Sequence, residues 1–291
     1  KILDMYGEHQ IKTGDWIVYT SADSVFQIAA NENIIPLEEL YHACQIAREI
    51  AMDDKWKVGR VIARPYIGTK EGHFTRTSNR HDYALAPFSK TALDSLKDAG
   101  LDVIGVGKIP DIFVDQGITR KIKTVSNEDG MNKTIELASD NFNGLAFINL
   151  VDFDAVYGHR RNAAGYGKAI EEFDVQLGEL IHELKNDDLL MVTADHGNDP
   201  TYRGTDHTRE QVPLIIYSKQ FNEMKVLNDG DSFGIIGSTI CDNFNVKYNG
   251  IGSSILESIR DILTKEGFQE LKESEKWKIE KSFFIHYLRI Y

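Results

Sequence analysis

The sequence predicts an α/β protein in which a mostly parallel sheet is covered by helices on both faces, with a second, smaller domain beside this core. From residue 88 onward, helix-like amphipathic segments alternate with short apolar runs. These runs are continuously apolar, which is typical of parallel strands buried on both faces. The first ninety residues do not show this regular alternation of helix and strand. A chain of 291 residues is long enough for two domains.

The first part of the chain predicts a small set of strands and helices. Residues 16–20 (WIVYT) are β-branched and aromatic and predict a strand, whereas residues 23–32 have helical spacing. A helix is expected over 37–52, after a proline that suits a helix start, and a strand over 58–68. Residues 69–87 form a long, polar, turn-rich segment, which indicates a functional or linking role.

The second part of the chain predicts the alternation of a parallel sheet. Helices are expected at residues 90–100, 129–139, 165–186 and 231–244. Strands are expected at residues 101–107, 144–154, 188–197 and 211–218. Sites in such sheets lie at the carboxyl ends of the strands.

The bulk composition excludes several classes of partner. With 33 basic and 45 acidic residues, the net charge is −12, so attraction to nucleic acid or to an anionic membrane is not expected. No apolar run approaches the roughly 20 residues of a spanning helix.

Cys44 and Cys241 have no metal-ligand spacing, which favours a reduced, cytoplasmic protein. The opening KILDMYGEHQ has neither an initiator Met nor a secretory pattern, so we expect the chain to start within a longer protein.

Two of the predicted strands are followed by the same kinds of side chain, aspartate and histidine. NLVDFDAVYGHRRN (149–162) is expected to leave its strand at Asp154 and to reach His159 five residues later. TADHGND leaves the next strand at Asp195 and His196, and a tight loop returns to His207. We expect these strand ends to be neighbours, which would bring two carboxylates and three imidazoles together.

Such a donor set predicts a divalent metal centre. Carboxylate oxygen and imidazole nitrogen suit Mn²⁺ or Zn²⁺, and the absence of thiolates argues against a structural zinc. Five ligands favour two ions, and two ions favour phosphoryl transfer. Each motif alone has a plainer interpretation: Asp154 could cap a turn, and His159 and His207 could be ordinary loop histidines.

The order DxxxxGH, TADHGND, GTDHTRE-x-VP resembles the alkaline phosphatase superfamily and, within it, the phosphopentomutases. The resemblance runs from about residue 10 to about residue 256. It also includes the stretches YTSADSVFQIAA (19–30), VGRVIARPYIG (58–68), FTRTSNRHDYAL (74–85), GKIPDIF (107–113) and VDFDAVYGHRRN (151–162).

The resemblance implies an alkaline phosphatase-like core with a smaller α/β cap domain. Residues 1–87 would be the substrate-binding cap, and residues 88–256 would be the metal-binding core, without the N-terminal part of that core. Residues 257–291 extend past the family pattern and are expected to form a charged helical extension.

The resemblance also implies the ligands of two Mn²⁺ ions. Asp154, His159 and His207 would hold one ion, and Asp195 and His196 would hold the other.

The substrate contacts that the resemblance implies are of two kinds. Ser21 and Asp23 would form hydrogen bonds with ribose hydroxyls. Arg60 and Arg76 would bind phosphate oxygens through their planar guanidinium groups, and Lys108 would add a point charge.

The implied reaction, a step of nucleoside catabolism, interconverts ribose 1-phosphate and ribose 5-phosphate and their deoxy forms. It passes through a phosphothreonine and a bisphosphate intermediate. The threonine, and the Asp that completes the second metal site, are expected upstream of Lys1, so the catalytic residue is not among these 291. The alternatives are a related metal-dependent phosphohydrolase or phosphoglycerate mutase, and an inactive sugar-phosphate-binding fragment.

Overall fold

The computed structural model describes residues 1–20, 24–53, 55–56, 58–204 and 206–260, and the backbone of a strand at 281–286. The chain forms two compact units, Lys1–Ala86 and Pro87–Tyr291. In the described part of the chain, no helix combines the length and the apolar character that crossing a membrane requires. The roles assigned to residues 1–87, 88–256 and 257–291 stay predictions.

The first unit is a mixed sheet with two helices. Its elements are α1 (Ile2–Thr13), β1 (Ile17–Thr20), β2 (Val25–Asn31), α2 (Leu37–Ile50), β3 (Arg60–Ile67), β4 (Thr75–Arg76) and β5 (His81–Ala84). The strands run in the order β1-β2-β3-β4, and β5 also pairs with β3. The β2–β3 pair is parallel, whereas β1, β4 and β5 pair antiparallel with their neighbours.

The expectation of a helix at residues 23–32 was wrong, because Val25–Asn31 is the strand β2. It lies between β1 and β3, and its apolar side chains are buried on both faces: Ile28 and Ala30 pack in one cluster and Ala29 in another. The spacing of a short apolar run does not separate a buried strand from a helix, so the pairing partners decide.

The polar segment 69–87 contains the two short strands β4 and β5, which its turn-rich composition did not predict. Both add to the edge of β3. The sheet packs on α2 through Leu40 and Cys44 on one face. On the other face α1 is fixed by Gln10, whose side-chain oxygen accepts hydrogen bonds from the Asn31 amide and the Tyr66 hydroxyl.

The second unit is the larger α/β unit. Its helices are α3 (Ala92–Asp98), α4 (Ile109–Ile112), α5 (Asn127–Ser139), α6 (Ala163–Glu183), α7 (Gly234–Asn243) and α8 (Leu256–Arg260), with a π-helix at Phe153–Gly158. Its strands are β6 (Asp102–Val106), β7 (Arg120–Ile122), β8 (Gly144–Asn149), β9 (Asp188–Thr193), β10 (Leu214–Tyr217) and β11 (Lys281–His286). They form one sheet in the order β10-β9-β11-β8-β6-β7.

The predicted fold class is confirmed by this sheet. Only the β9–β10 pair is antiparallel among its described pairs. Alternate residues of β6 illustrate how both faces are covered: Ile104 packs with side chains of α5 and α6, whereas Val103 packs with side chains of α3 and α7. Strands buried on both faces explain the continuous apolar runs of the sequence.

The prediction of a helical extension over 257–291 is wrong at Lys281–His286. This segment is β11, which pairs in parallel with both β8 and β9 and separates them. Its sequence, KSFFIH, contains the aromatic and β-branched residues that favour strands. Residues 261–280 and 287–291 lie outside the described residues.

Candidate metal centre

The carboxyl end of β8 differs from the sequence-based expectation. The strand ends at Asn149, not at Asp154, and a π-helix at Phe153–Gly158 presents Asp154. Single π-helical turns are rare in proteins, and those that occur often lie at functional sites. The His159 amide donates to the Asp154 carbonyl at 3.0 Å, which links the two candidate ligands across this turn.

The Asp152 side chain binds the start of α5. Its carboxylate accepts a hydrogen bond from the Asn127 amide at 2.7 Å, and the Asn127 side-chain oxygen accepts one from the Asp152 amide at 2.9 Å. This reciprocal pair joins the start of α5 to the residue before the π-helix.

Asp154, His159 and His207 converge on one point. The Nε2 atoms of His159 and His207 are 3.1 Å apart, and each lies 3.4 Å from Asp154 Oδ1. The structure thus brings together three of the five predicted metal ligands, from two segments 48 residues apart in the chain.

The other two predicted ligands follow β9. His196 Nε2 lies 3.5 Å from Asp195 Oδ1, and the His196 ring stacks on the His207 ring with a centroid distance of 3.7 Å. The pair therefore borders the first three ligands. The strand ends are not neighbours as expected, since β11 lies between β8 and β9. All three strands are parallel, so their carboxyl ends still share one edge.

The loop from Gly197 to Thr208 returns His207 to this edge. The Thr208 amide donates to the Gly197 carbonyl at 3.1 Å, and the Thr208 hydroxyl accepts from the Asp199 amide at 2.8 Å. A Cβ at Gly197 would collide with the Glu210 carboxylate and lie 2.9 Å from the Thr208 carbonyl oxygen. The glycine is therefore required by the close approach of the two ends of the loop.

The electrostatic setting favours the neutral form of His207. Partial burial lowers the pKa of the His207 imidazole, and the neighbouring His196 lowers it further. A neutral imidazole is the form that binds a metal. Nearby, the hydrogen bond from the Thr201 hydroxyl lowers the pKa of Asp199 and keeps that carboxylate ionised.

The donor set of Asp154, His159 and His207 fits a divalent ion. One carboxylate oxygen and two imidazole nitrogens all lie within 4.8 Å of one another. These atoms are the ligand types that Mn²⁺ and Zn²⁺ accept, and their rings already face a common point.

A model of the Metalloenzyme superfamily matches residues 2–248 of the chain. The chain belongs to the Metalloenzyme superfamily. Membership of this superfamily implies dependence on a metal, in agreement with the three convergent ligands.

Two relatives of this chain are phosphopentomutases. The enzyme of Clostridium botulinum (strain Alaska E43 / Type E3) is 59% identical over 261 residues, which cover 89% of this chain and 66% of that enzyme. The enzyme of Clostridium beijerinckii (strain ATCC 51743 / NCIMB 8052) is 58% identical with the same coverage. The resemblance found in the sequence is thereby confirmed, and the chain spans 66% of the length of these relatives.

Four of the predicted substrate-binding residues belong to the first unit, and the structure describes two of them, Arg60 and Arg76. Arg60 begins β3, is half-exposed, and lies 3.7 Å from the Asp82 carboxylate. Arg76 is in β4 and donates to the Tyr19 hydroxyl at 2.9 Å. Ser21 and Asp23 lie outside the described residues.

Two further arginines lie beside these positions, and the sequence-based prediction did not include them. Arg64 Nε donates to the Tyr19 hydroxyl at 3.5 Å, which places it beside Arg76. Arg80 forms a bidentate pair with Asp82, at 2.7 and 2.6 Å, and this hydrogen bonding raises its pKa. The two-residue period of a strand could have identified Arg64, since residues 60 and 64 lie on the same face of β3.

Lys108 lies two residues beyond the end of β6, at the first residue before α4. Its ammonium is mostly exposed and lies 3.8 Å from the Asp111 carboxylate. Since β6 and β8 are adjacent and parallel, Lys108 and the π-helix follow strands that end at the same edge of the sheet.

Proposed function

We propose that this chain carries the metal-binding and sugar-phosphate-binding residues of a phosphopentomutase. This enzyme interconverts ribose or deoxyribose 1-phosphate and the corresponding 5-phosphate through a phosphoenzyme and a bisphosphate intermediate. The observation that carries the proposal is the convergence of Asp154, His159 and His207 in a chain that is 59% identical to a phosphopentomutase.

The proposed centre holds two Mn²⁺ ions. Asp154, His159 and His207 would hold one ion, and Asp195 and His196 would provide ligands for the other. Bound divalent ions neutralise phosphate charge and stabilise the transferring phosphoryl group. The stacking of His196 on His207 supports two neighbouring sites rather than two remote ones.

The proposed role of the first unit is to bind the sugar phosphate. Arg60 and Arg76 would bind phosphate oxygens, while Ser21 and Asp23 would bind ribose hydroxyls. The exposed guanidinium of Arg76 supports this role, because it donates to the neutral Tyr19 hydroxyl. In the second unit, the exposed ammonium of Lys108 would add a positive charge for the phosphate. Charge-assisted hydrogen bonds from such groups fix the orientation of a phosphate.

Phosphorus NMR of the full-length protein with ribose 1-phosphate and Mn²⁺ tests the proposal. We expect the ribose 1-phosphate resonance to be replaced by that of ribose 5-phosphate, and we expect chelation of the metal to stop the conversion. Accumulation of free phosphate without ribose 5-phosphate would indicate a metal-dependent hydrolase instead. Ribose 5-phosphate binding without any turnover would indicate a binding protein.

The substrate site has its own test with a matched control. Arg76→Ala removes a charged donor and should raise the KM for ribose 5-phosphate about 10–100-fold, the usual range for a lost charge-assisted hydrogen bond. Arg120→Ala removes an equally charged surface residue that is paired with Asp140 at 2.7 Å, and it should leave the KM unchanged. Equal KM values in the two variants would contradict the assigned role of Arg76.

A further inference from the structure

The Arg161 guanidinium donates four hydrogen bonds to the segment that leads to His207. Its Nε donates to the Gly204 carbonyl at 2.5 Å, and its Nη2 donates to the Asp206 carbonyl at 2.7 Å. Its Nη1 donates both to the Asn198 side-chain oxygen at 2.7 Å and to the Asp199 carbonyl at 2.8 Å. All four acceptors are neutral oxygens of the loop that precedes His207, so the guanidinium holds this loop through hydrogen bonds.

Asn198 connects Arg161 to Asp154. Its side chain is fully buried, and its amide nitrogen donates to Asp154 Oδ1 at 2.6 Å. A side-chain amide has one acceptor and one donor group. Because Arg161 binds the oxygen of Asn198, the NH₂ group of Asn198 must face Asp154.

Arg161 is also linked to both histidines through short stretches of backbone. Asp206, whose carbonyl it binds, directly precedes His207 in the chain. Arg161 itself follows His159 by two residues and has a φ of 53°, a left-handed conformation that is uncommon outside glycine. Such a conformation persists where the surrounding contacts fix it, and here four hydrogen bonds do so.

We propose that Arg161, acting through Asn198 and the Asp206 carbonyl, is a positioning residue. It holds Asp154, His159 and His207 in ligand geometry before a metal binds. This inference rests on the proposed metal centre. It extends that proposal, because it assigns the geometry of the ligands to a residue that touches none of their ligand atoms.

Mn²⁺ titration calorimetry of the full-length protein, far below its unfolding temperature, tests this role. Arg161→Ala should weaken Mn²⁺ binding about 10–100-fold, which is the usual effect of losing a residue that orients a metal ligand. Arg161→Lys keeps the charge but cannot span four acceptors, so it should lose nearly as much affinity. Arg160→Ala, which removes an exposed charge from the adjacent position, should bind Mn²⁺ like the wild type.

A double-substitution cycle separates positioning from general damage to the fold. If Arg161 acts through Asn198, the Arg161→Ala/Asn198→Ala protein should lose little more affinity than the worse single variant, whereas independent roles would multiply the two losses. Multiplied losses, full affinity in Arg161→Lys, or a lowered unfolding temperature of the metal-free protein with unchanged Mn²⁺ affinity would each overturn the inference. Wild-type protein that binds no Mn²⁺ would overturn the metal centre itself.

Discussion

Gly158→Ala is the substitution whose effect on the candidate centre can be worked out most fully. A Cβ at this position would lie 2.5 Å from the Asn198 amide nitrogen, 2.7 Å from its Cγ and 3.0 Å from the Phe153 carbonyl oxygen. Favourable contacts between heavy atoms lie at about 3.5–4.0 Å, so the methyl group lacks roughly 1 Å of space. Asn198 cannot swing aside, because it is fully buried and hydrogen-bonded to Arg161 and Asp154.

The magnitude follows from two costs and one gain. Overpacking of a buried site costs about 1–3 kcal/mol, and loss of the charge-assisted hydrogen bond to Asp154 costs about 1.5–3 kcal/mol. Replacing glycine by alanine returns up to about 1 kcal/mol through the lower entropy of the unfolded chain. We therefore expect the free energy of unfolding to fall by about 1.5–6 kcal/mol, and Mn²⁺ binding to weaken with it.

Urea unfolding followed by circular dichroism measures this change, and two glycines of α6 provide matched controls. Gly167 and Gly178 are exposed, and a Cβ at either would have no heavy atom within 4 Å. Gly167→Ala and Gly178→Ala should therefore raise the free energy of unfolding by about 0.5–1 kcal/mol. If Gly158→Ala behaved like these controls, the packing of Asn198 against the π-helix would be refuted.

Two further predictions concern groups outside the metal ligands. Cys44 and Cys241 are buried, and burial raises their thiol pKa values to about 12 and about 11, so neither should react with a thiol reagent at pH 8 until denaturant exposes both; rapid labelling of the native protein would contradict their burial. Asp152→Ala should cost about 1 kcal/mol of unfolding free energy through the lost bond to the Asn127 amide, yet leave Mn²⁺ affinity unchanged, as calorimetry would show. A clear loss of Mn²⁺ affinity would mean that Asp152 supports the ligands after all.

The sequence could predict the parts of the fold that periodicity and composition determine. The long amphipathic helix Ala163–Glu183 overlaps most of the predicted segment 165–186, and the buried strand Asp188–Thr193 lies within the predicted segment 188–197. Short elements failed, because their identity depends on partners distant in the chain. Val25–Asn31 is a strand only because it pairs on both sides, and Lys281–His286 is a strand within a segment whose charges favoured a helix.

The candidate metal ligands could be singled out because Asp and His after buried strands are chemically distinctive. The structure places Asp154, His159 and His207 within contact of one another, which the sequence alone could only suggest. Arg161 and Asn198 could not be predicted, since their role rests on hydrogen bonds between segments 37 residues apart. Neither residue type indicates such a contact by itself.

Mn²⁺ titration calorimetry of two adjacent variants tests the central claim most directly. His207 offers a nitrogen to the proposed centre, whereas the exposed Asp206 contacts Arg161 through its backbone carbonyl. His207→Ala should therefore weaken Mn²⁺ binding more than about 100-fold, beyond the effect of losing a merely supporting residue, and Asp206→Ala should bind almost as the wild type does. Equal losses in the two variants, or full affinity in His207→Ala, would contradict a metal centre at Asp154, His159 and His207.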